Sequence, residues 1–420
     1  MFQRPKSIEN IYLYLIIGNT LAASFIWGIN TIFLLDAGLT NFQAFLVNAF
    51  FTLGQVIFEV PTGIIADTWG RRTSYLWGTI TLSLSTLFYL LMWKIHGPLW
   101  GWAASSVLLG LGFTFFSGAL EAWLVDALHA TNFTGSLEKV FSKGQIVGGS
   151  AMLVGSIAGG LLAEFTNLGV PYILRSAILV VNFATAFFLM KDLGFTPRKS
   201  GKILHETKNI FLQSINNGIK VPSIRWVMLA APFTVGVSFY IFYALQPFLL
   251  KIYGNEKAYG IAGLVAAIVA SAQIAGGFAA PHIKKLFARR TTALSVSVLL
   301  AGIILILVSV INNFYAVIIL IFLWGLIFAA MMPIRQTYLN GLIPKEERAT
   351  VLSFDSLMGS SGGIVIQPVL GKVADVWSYS TSYLTAAVFE LAALPFIYLA
   401  SRQKAPSDFR EEKEDRPARE

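Results

Sequence analysis

The chain contains no cysteine, and its four histidines (His96, His129, His205 and His282) are scattered along 420 residues. Disulfide frameworks, thiolate metal ligands and cysteine nucleophiles are therefore excluded, and no histidine-rich metal site has a sequence basis. Charge is scarce as well. Asp, Glu, Lys and Arg together make up 13% of the residues, against about 25% in an ordinary soluble domain. A chain this poor in charge has too little water-facing surface for a cytosolic enzyme, and its 55% hydrophobic content excludes disorder. A nucleotide loop is missing too: Gly359-Ser-Ser-Gly-Gly lies inside an apolar run and lacks the lysine that phosphate binding uses. No cofactor, no metal and no enzymatic activity are expected.

What the sequence has instead is long apolar runs. Twelve of them, at roughly 11–35, 41–63, 73–93, 99–123, 144–165, 170–190, 225–250, 259–281, 291–311, 314–334, 349–372 and 382–401, approach the length a helix needs to cross a bilayer. They are apolar all round rather than alternating, which favours helices over a β-barrel. The expected fold is an all-α membrane protein with twelve transmembrane helices. The first run is too long for a signal-peptide core and is read as a retained span.

Basic residues set the orientation. All but Lys94, Arg175, Lys251, Lys257 and Lys372 of the 31 Lys and Arg fall on one side of this topology. By the positive-inside rule that side is the cytoplasm and holds both termini. The net charge of +9 then reflects topology and contact with anionic inner-leaflet lipid, not nucleic acid. A bacterial-type plasma (inner) membrane is the expected location.

The longest loop, 191–224, divides the spans six and six. This predicts an N-terminal bundle over 1–190, a cytoplasmic central loop over 191–224, a C-terminal bundle over 225–402 and a disordered cytoplasmic tail over 403–420. In the loop, Ile203, Leu204, Ile210, Phe211, Ile215 and Ile219 have the spacing of an amphipathic surface helix, with an irregular linker as the alternative. The halves look related. Shifting by 211 residues lays Val140, Ser142, Gly148, Ser150, Val154, Gly160 and Ala163 over Val351, Ser353, Gly359, Ser361, Val365, Gly371 and Ala374, and sets Glu164 opposite Asp375. Arg71-Arg72-Thr73 is echoed by Arg289-Arg290-Thr291. Two pseudo-symmetric six-helix bundles suit a transporter with its site between repeats.

Gly63-Ile-Ile-Ala-Asp67-Thr-Trp-Gly70-Arg71-Arg72 resembles the loop 2–3 signature of the major facilitator superfamily. The run from Ile343-Pro344 through Arg348 to Ser353 resembles loop 10–11 of bacterial drug and sugar efflux members, as does Glu121-Ala-Trp-Leu-Val-Asp126 at the end of span four. The resemblance implies alternating access, with Gly63, Asp67, Gly70, Arg71, Arg72 and Asp126 forming a gating motif and Asp67–Arg71–Asp126 a latch. Gly63 and Gly70 are expected to give tight backbone turns and close approach. Three departures stand out. Thr68 replaces the basic residue often found after the Asp. Span four has no embedded Arg. The span-five antiporter signature lacks its first Gly and its Pro, reading Ala151-Met-Leu-Val-Gly155-Ser156-Ile-Ala-Gly159-Gly160.

Acids inside apolar runs are costly and point to function. Glu59, Glu121, Asp36 and Glu390 are the proton-coupling candidates, with Glu59 and Glu121 foremost because their spans share one bundle. A purely structural hydrogen bond is the alternative for Glu59 and Glu121, a solvated carboxylate for Asp36, and a packing or interface role for Glu390. Asp355 is expected in the second turn of span eleven, favoured by the helix N-terminus. Arg175 and Arg335 are expected to snorkel at opposite faces. Polar and aromatic residues at mid-span are the substrate-cavity candidates: Trp27, Asn30, Gln55, Tyr240, Tyr243, Gln246, Gln273, Trp324 and Arg335. Spans one, four, seven and ten line the cavity in the family this chain resembles. The expected function is secondary transport by a monomer, with a small-molecule substrate and protons as partners in the bilayer: proton-coupled efflux of a small, partly apolar compound, drug-like or sugar-like. The alternative is a facilitator or proton symporter importing a sugar or other small metabolite.

Overall fold

The computed structural model describes residues 4–197, 215–344 and 348–409. Among them the regular structure is helical, and the only strand-like pairing is a single isolated bridge between Arg289 and Phe409. The α-helices are α1 (Pro5–Trp27), α2 (Asn30–Asp36), α3 (Asn41–Trp69), α4 (Arg71–Lys94), α5 (Leu99–Thr114), α6 (Ala119–Ala130), α7 (Leu137–Phe165), α8 (Gly169–Leu189), α9 (Pro222–Tyr253), α10 (Tyr259–Lys285), α11 (Arg290–Val310), α12 (Phe314–Asn340), α13 (Arg348–Val376), α14 (Tyr379–Leu391) and α15 (Leu394–Arg402).

These make the twelve spans, with three of them broken. Span one is α1 plus α2, span four is α5 plus α6, and span twelve is α14 plus α15. Continuous helices were expected there. In span twelve the break has a direct cause: Pro395 has no N–H to give the carbonyl of Leu391, four residues earlier. Eleven helical stretches are long and apolar enough to cross a membrane. The exception is α13, as long as its fellows but carrying Asp355, Gln367 and the Gly359-Ser-Ser-Gly-Gly run. The protein is an integral membrane protein of two six-helix repeats. Its large apolar side chains face outward in number, for example Leu84, Leu87, Phe88 and Leu91 on α4 and Val180, Val181, Phe187 and Phe188 on α8. A soluble protein could not leave such a surface uncovered. The interior instead takes small and hydroxylated residues such as Ser85, Thr86, Ser105 and Ser106, which let helices approach closely.

Of the central-loop residues expected to form a surface helix, Ile203, Leu204, Ile210 and Phe211 lie outside the described residues, as do Lys345–Glu347 of loop 10–11 and the tail from Arg410. Ile215 and Ile219 lie in a short π-helical turn, Ile215–Ile219, packed on the core around Met228 and Val351.

By contact the chain divides into two units. The first comprises Met1–Lys208, Tyr240–Ala270 and Ile364–Trp377; the second comprises Asn209–Phe239, Ser271–Gly363 and Ser378–Glu420. The first unit thus gathers, besides the first six spans, one end of α9, α10 and α13. Its core has two apolar clusters. One surrounds Phe33, Trp102 and Tyr172 and includes Leu250, Ala258 and Ala262; the other surrounds Tyr75, Trp123 and Leu128. The second unit is built on clusters around Met228 and Tyr338 and around Val298 and Met331.

Candidate functional site: two helix ends and a buried polar cluster

In the first unit, Gly70 is the whole connection between α3 and α4. Its φ of +107° is in the region L side chains avoid, and a Cβ there would strike the carboxylate of Asp192. Gly63 behaves otherwise. It sits inside the continuous helix α3 with open space where its side chain would be, so the expected tight approach is absent.

The turn at Gly70 places Arg71 in an ion pair with Asp67, one helical turn earlier, and 3.9 Å from Asp126 on α6. These are the three residues expected to form a latch, and all are partly exposed. Arg72 Nη2 donates to the carbonyl of Phe187 at 2.7 Å. Asp192 escaped sequence reasoning. Its Oδ1 accepts the backbone N–H of Arg72 at 2.9 Å, and so caps α4. Arg71 also lies 5.8 Å from the ring centroid of Phe195. Burial raises the pKa of Asp192 above its ordinary value, against the lowering pull of the Arg72 N–H and the nearby guanidinium groups.

The second unit repeats the device. Asp408 accepts from the N–H and Oγ1 of Thr291, at 2.8 and 2.9 Å, and from Arg289 Nε at 2.8 Å; the Arg289 guanidinium lies 5.3 Å from the Phe409 ring. So in each half an Asp–Phe pair after the last span caps the first turn of the third and braces an arginine. Asp408 is fully buried, Asp192 only partly.

The other end of the first unit is tightly closed. A methyl group on Gly28, at the α1–α2 break, would lie 2.7 Å from Gly263 Cα on α10, and one on Gly160 of α7 would lie 3.0 Å from the same atom. Two acids hold this closure. Glu164, at the end of span five, accepts the N–H of Gly260 in the first turn of α10 at 2.8 Å. Asp375, at the end of span eleven, accepts the N–H groups of Asn41 and Phe42 in the first turn of α3 at 2.9 and 2.8 Å. These are the acids that the 211-residue shift superposes. Each binds the start of the second span of the opposite sequence half.

Beside this closure lies a buried polar cluster. Gln246 Nε2 donates to the carbonyl of Trp27 at 2.6 Å, and its Oε1 accepts the N–H of Thr31 at 3.1 Å, bridging the α1–α2 break. Asn30 donates to Asn48 at 2.9 Å and accepts from Tyr172 at 3.1 Å. The Trp27 ring packs edge-on to Phe242, and Tyr240 is buried against Phe45. Trp27, Asn30, Tyr240, Tyr243 and Gln246 are thereby brought into the first unit's closed end, and Gln55 is half-buried on α3. Arg175 is in the cluster rather than snorkelling: it is 1% exposed, under the Phe113 ring.

The remaining candidates lie apart from this cluster. In the second unit Trp324 is buried and stacked on Phe328, and Gln273 is exposed. Arg335 does not snorkel either. It is buried and grips Asp355 through both Nη atoms while Nη2 also reaches the carbonyl of Val227. Asp355 is therefore held by an arginine rather than by a helix N-terminus, since α13 begins seven residues before it. Among the acids, Glu59 accepts from Ser117 at 2.6 Å, Asp36 accepts from Trp93 Nε1 at 2.8 Å, and Glu121 is exposed. Glu390 is 1% exposed, one residue before the end of α14, and its Oε2 has no partner.

The sequence matches the Major Facilitator Superfamily over residues 13–290 and 228–420. The chain belongs to that superfamily. It is 24% identical over 358 residues to the uncharacterized MFS-type transporter YxaM of Bacillus subtilis (strain 168), covering 83% of this chain and 85% of that one. It is 25% identical over 338 residues to the multidrug resistance protein MdtG of Salmonella choleraesuis (strain SC-B67), covering 79% and 77%. Its fold is that of the nucleoside transporter NupG, with TM-score 0.71 at 11% identity over 94% of this chain and 98% of that chain. A bacterial homolog of the human lysosomal transporter Spinster gives the same TM-score at 14% identity, over 97% and 98%. This facilitator-superfamily chain is a membrane transporter of a small molecule.

Proposed function

We propose that the protein exports a small, partly apolar compound by alternating access, driven by protons entering in exchange. It works as a monomer in a bacterial-type inner membrane, with both termini in the cytoplasm. Its moving parts are an N-terminal bundle over 1–190 and a C-terminal bundle over 225–402, joined by the 191–224 loop. The observation that carries the reading is the pair of carboxylate caps, Glu164 on α10 and Asp375 on α3. They join the two sequence halves by a few surface-accessible hydrogen bonds at glycine-lined crossings. Such bonds contribute about 1 kcal/mol each, small enough for a closure that must open in every cycle. At the basic end, Asp67, Arg71 and Asp126 form the counterpart latch, completed when that end closes. The relative named for multidrug resistance supports export.

Proton coupling needs an acid that changes protonation as its surroundings change. Glu390, buried with its Oε2 unpartnered, and Glu59, held by Ser117, are the two acids this geometry favours, and Glu121 is the exposed third. Inverted vesicles carrying the protein, given an outwardly directed proton gradient across their membrane and a panel of labelled compounds, test the reading. Accumulation of at least one compound that collapses with the gradient is expected. Movement of every transported compound only down its own gradient would overturn the coupling, and no movement of any would overturn the function.

A further inference from the structure

Two arginines are buried among the described residues, and their treatment differs. Arg335 has a carboxylate of its own chain in a two-pronged grip. Arg175, 1% exposed on α8, has none: its Nε has no partner, and its one described contact is the face of Phe113, 5.8 Å from the ring centroid. The ionisable groups that act on its charge are the tyrosines Tyr172, Tyr89 and Tyr243. A cation held without an anion at this depth is costly, and folds retain such charges for a partner that comes and goes.

The surroundings say what that partner is. Trp102 Nε1 and Asn48 Nδ2, both N–H donors in the same cluster, also lack acceptors. Trp102 lies edge-on to Tyr89 at 5.3 Å, and Asn48 is linked through Asn30 to Tyr172. A guanidinium in a cluster that also holds spare N–H donors is matched by an anion. The walls are flat and apolar: Tyr172 stacks on Phe33 at 4.1 Å and lies near-parallel to Tyr89 at 6.3 Å. Access is built in. Tyr243, one of the tyrosines acting on the charge of Arg175, is on α9, one turn from the Gln246 that bridges the α1–α2 break, so the surroundings of Arg175 change when the closed end opens.

We propose that Arg175 is the recognition point for an anionic group on the transported compound, an organic monoanion with a flat apolar body. The assignment rests on the transport reading above and narrows its substrate class. It requires neither the proton coupling nor the direction of transport.

The test uses the full chain in detergent and follows its thermal unfolding against sodium benzoate, uncharged benzamide, sodium chloride and dioleoyl-phosphatidylglycerol. Benzoate should raise the melting temperature saturably and benzamide should not. R175Q should abolish the benzoate response, and R175K, which keeps a charge but loses the fork, should weaken it by about tenfold or more. No response to benzoate, an equal response to benzamide, or an undiminished response in R175Q would each overturn the proposal. So would chloride or the lipid producing the same saturable shift and displacing benzoate, since the site would then hold an inorganic ion or a headgroup. The benzoate–benzamide comparison needs no variant and stands even if R175Q fails to fold. Proteoliposome transport of ethidium separates the two readings. Ethidium moved with no benzoate response sinks the anion site alone. With labelled benzoate followed in the same proteoliposomes, failure to move both benzoate and ethidium sinks the transport reading as well.

Discussion

Removing the carboxylates of Glu164 and Asp375 should open the closed end of the first unit. Asp375 satisfies two N–H groups at the start of α3, and Glu164 satisfies one at the start of α10. Each is a capping interaction, and replacing such a cap with alanine costs about 1 kcal/mol, within a range of roughly 0.5–2. Both side chains are partly in solvent, so nothing larger is expected. The double variant E164A/D375A should therefore lose about 2 kcal/mol from the closed state, a shift of about thirtyfold in the closed-to-open ratio. Because the chain has no native cysteine, spin labels can be placed cleanly at Thr166 and Glu256, both exposed at this end. Pulsed electron–electron resonance in lipid should then show a second, longer distance in the double variant. D375N alone, which keeps an oxygen acceptor for one of the two N–H groups and sets an NH2 donor against the other, should shift the population in the same direction as D375A but less. A distance distribution in E164A/D375A identical to that of the unsubstituted chain would refute the reasoning.

Further outcomes follow from the other sites. D67N should cut transport severely while leaving melting temperature nearly unchanged, because a partly exposed pair with Arg71 contributes only about 0–1 kcal/mol; a large loss of stability would make Asp67 structural instead. D408N should destabilise more than D192N in thermal melts, since Asp408 is fully buried on a guanidinium and Asp192 is not; equal losses would contradict the comparison. The raised pKa of Asp192 means that its contribution favours the folded state most below the ordinary value of 3.8 and is lost as pH climbs through the higher folded-state value. D192N should flatten the pH dependence of stability over that window, and an unchanged profile would remove Asp192 as its source. E59Q or E390Q should abolish gradient-driven but not downhill transport; if both still concentrate substrate, the proton travels elsewhere.

Much of this architecture was legible in the amino-acid string, and the reasons are specific. Hydropathy gives the passes because lipid leaves an outward side chain little choice but to be apolar. The correspondence of Glu164 with Asp375 was visible as a register shift, because related helices end in related places, but the helix starts that the two acids cap were not. Gly70 was legible because its backbone conformation excludes other residues; Gly63 only shares the motif. What escaped depends on contacts between distant segments. Asp192 and Asp408 follow the last spans of their halves with no motif, and the one available signal is a phenylalanine close behind each. Arg175 sits a turn and a half into α8, where position alone suggests snorkelling; only its burial, with the Phe113 ring over it, reverses that reading. The span-twelve break was within reach, since Pro395 stands in plain view inside the run.

Alternating access requires that the closed end of the first unit open during turnover. Thr31 is fully buried there and its hydroxyl has no partner, so T31C is a small change at a sealed position in a chain without other thiols. A membrane-impermeant maleimide, applied on the face opposite the Arg71 loop, should leave T31C unmodified at rest. It should modify the thiol, and stop transport, once substrate and gradient are supplied. A T31C protein that transports at the normal rate and is never modified would contradict the account.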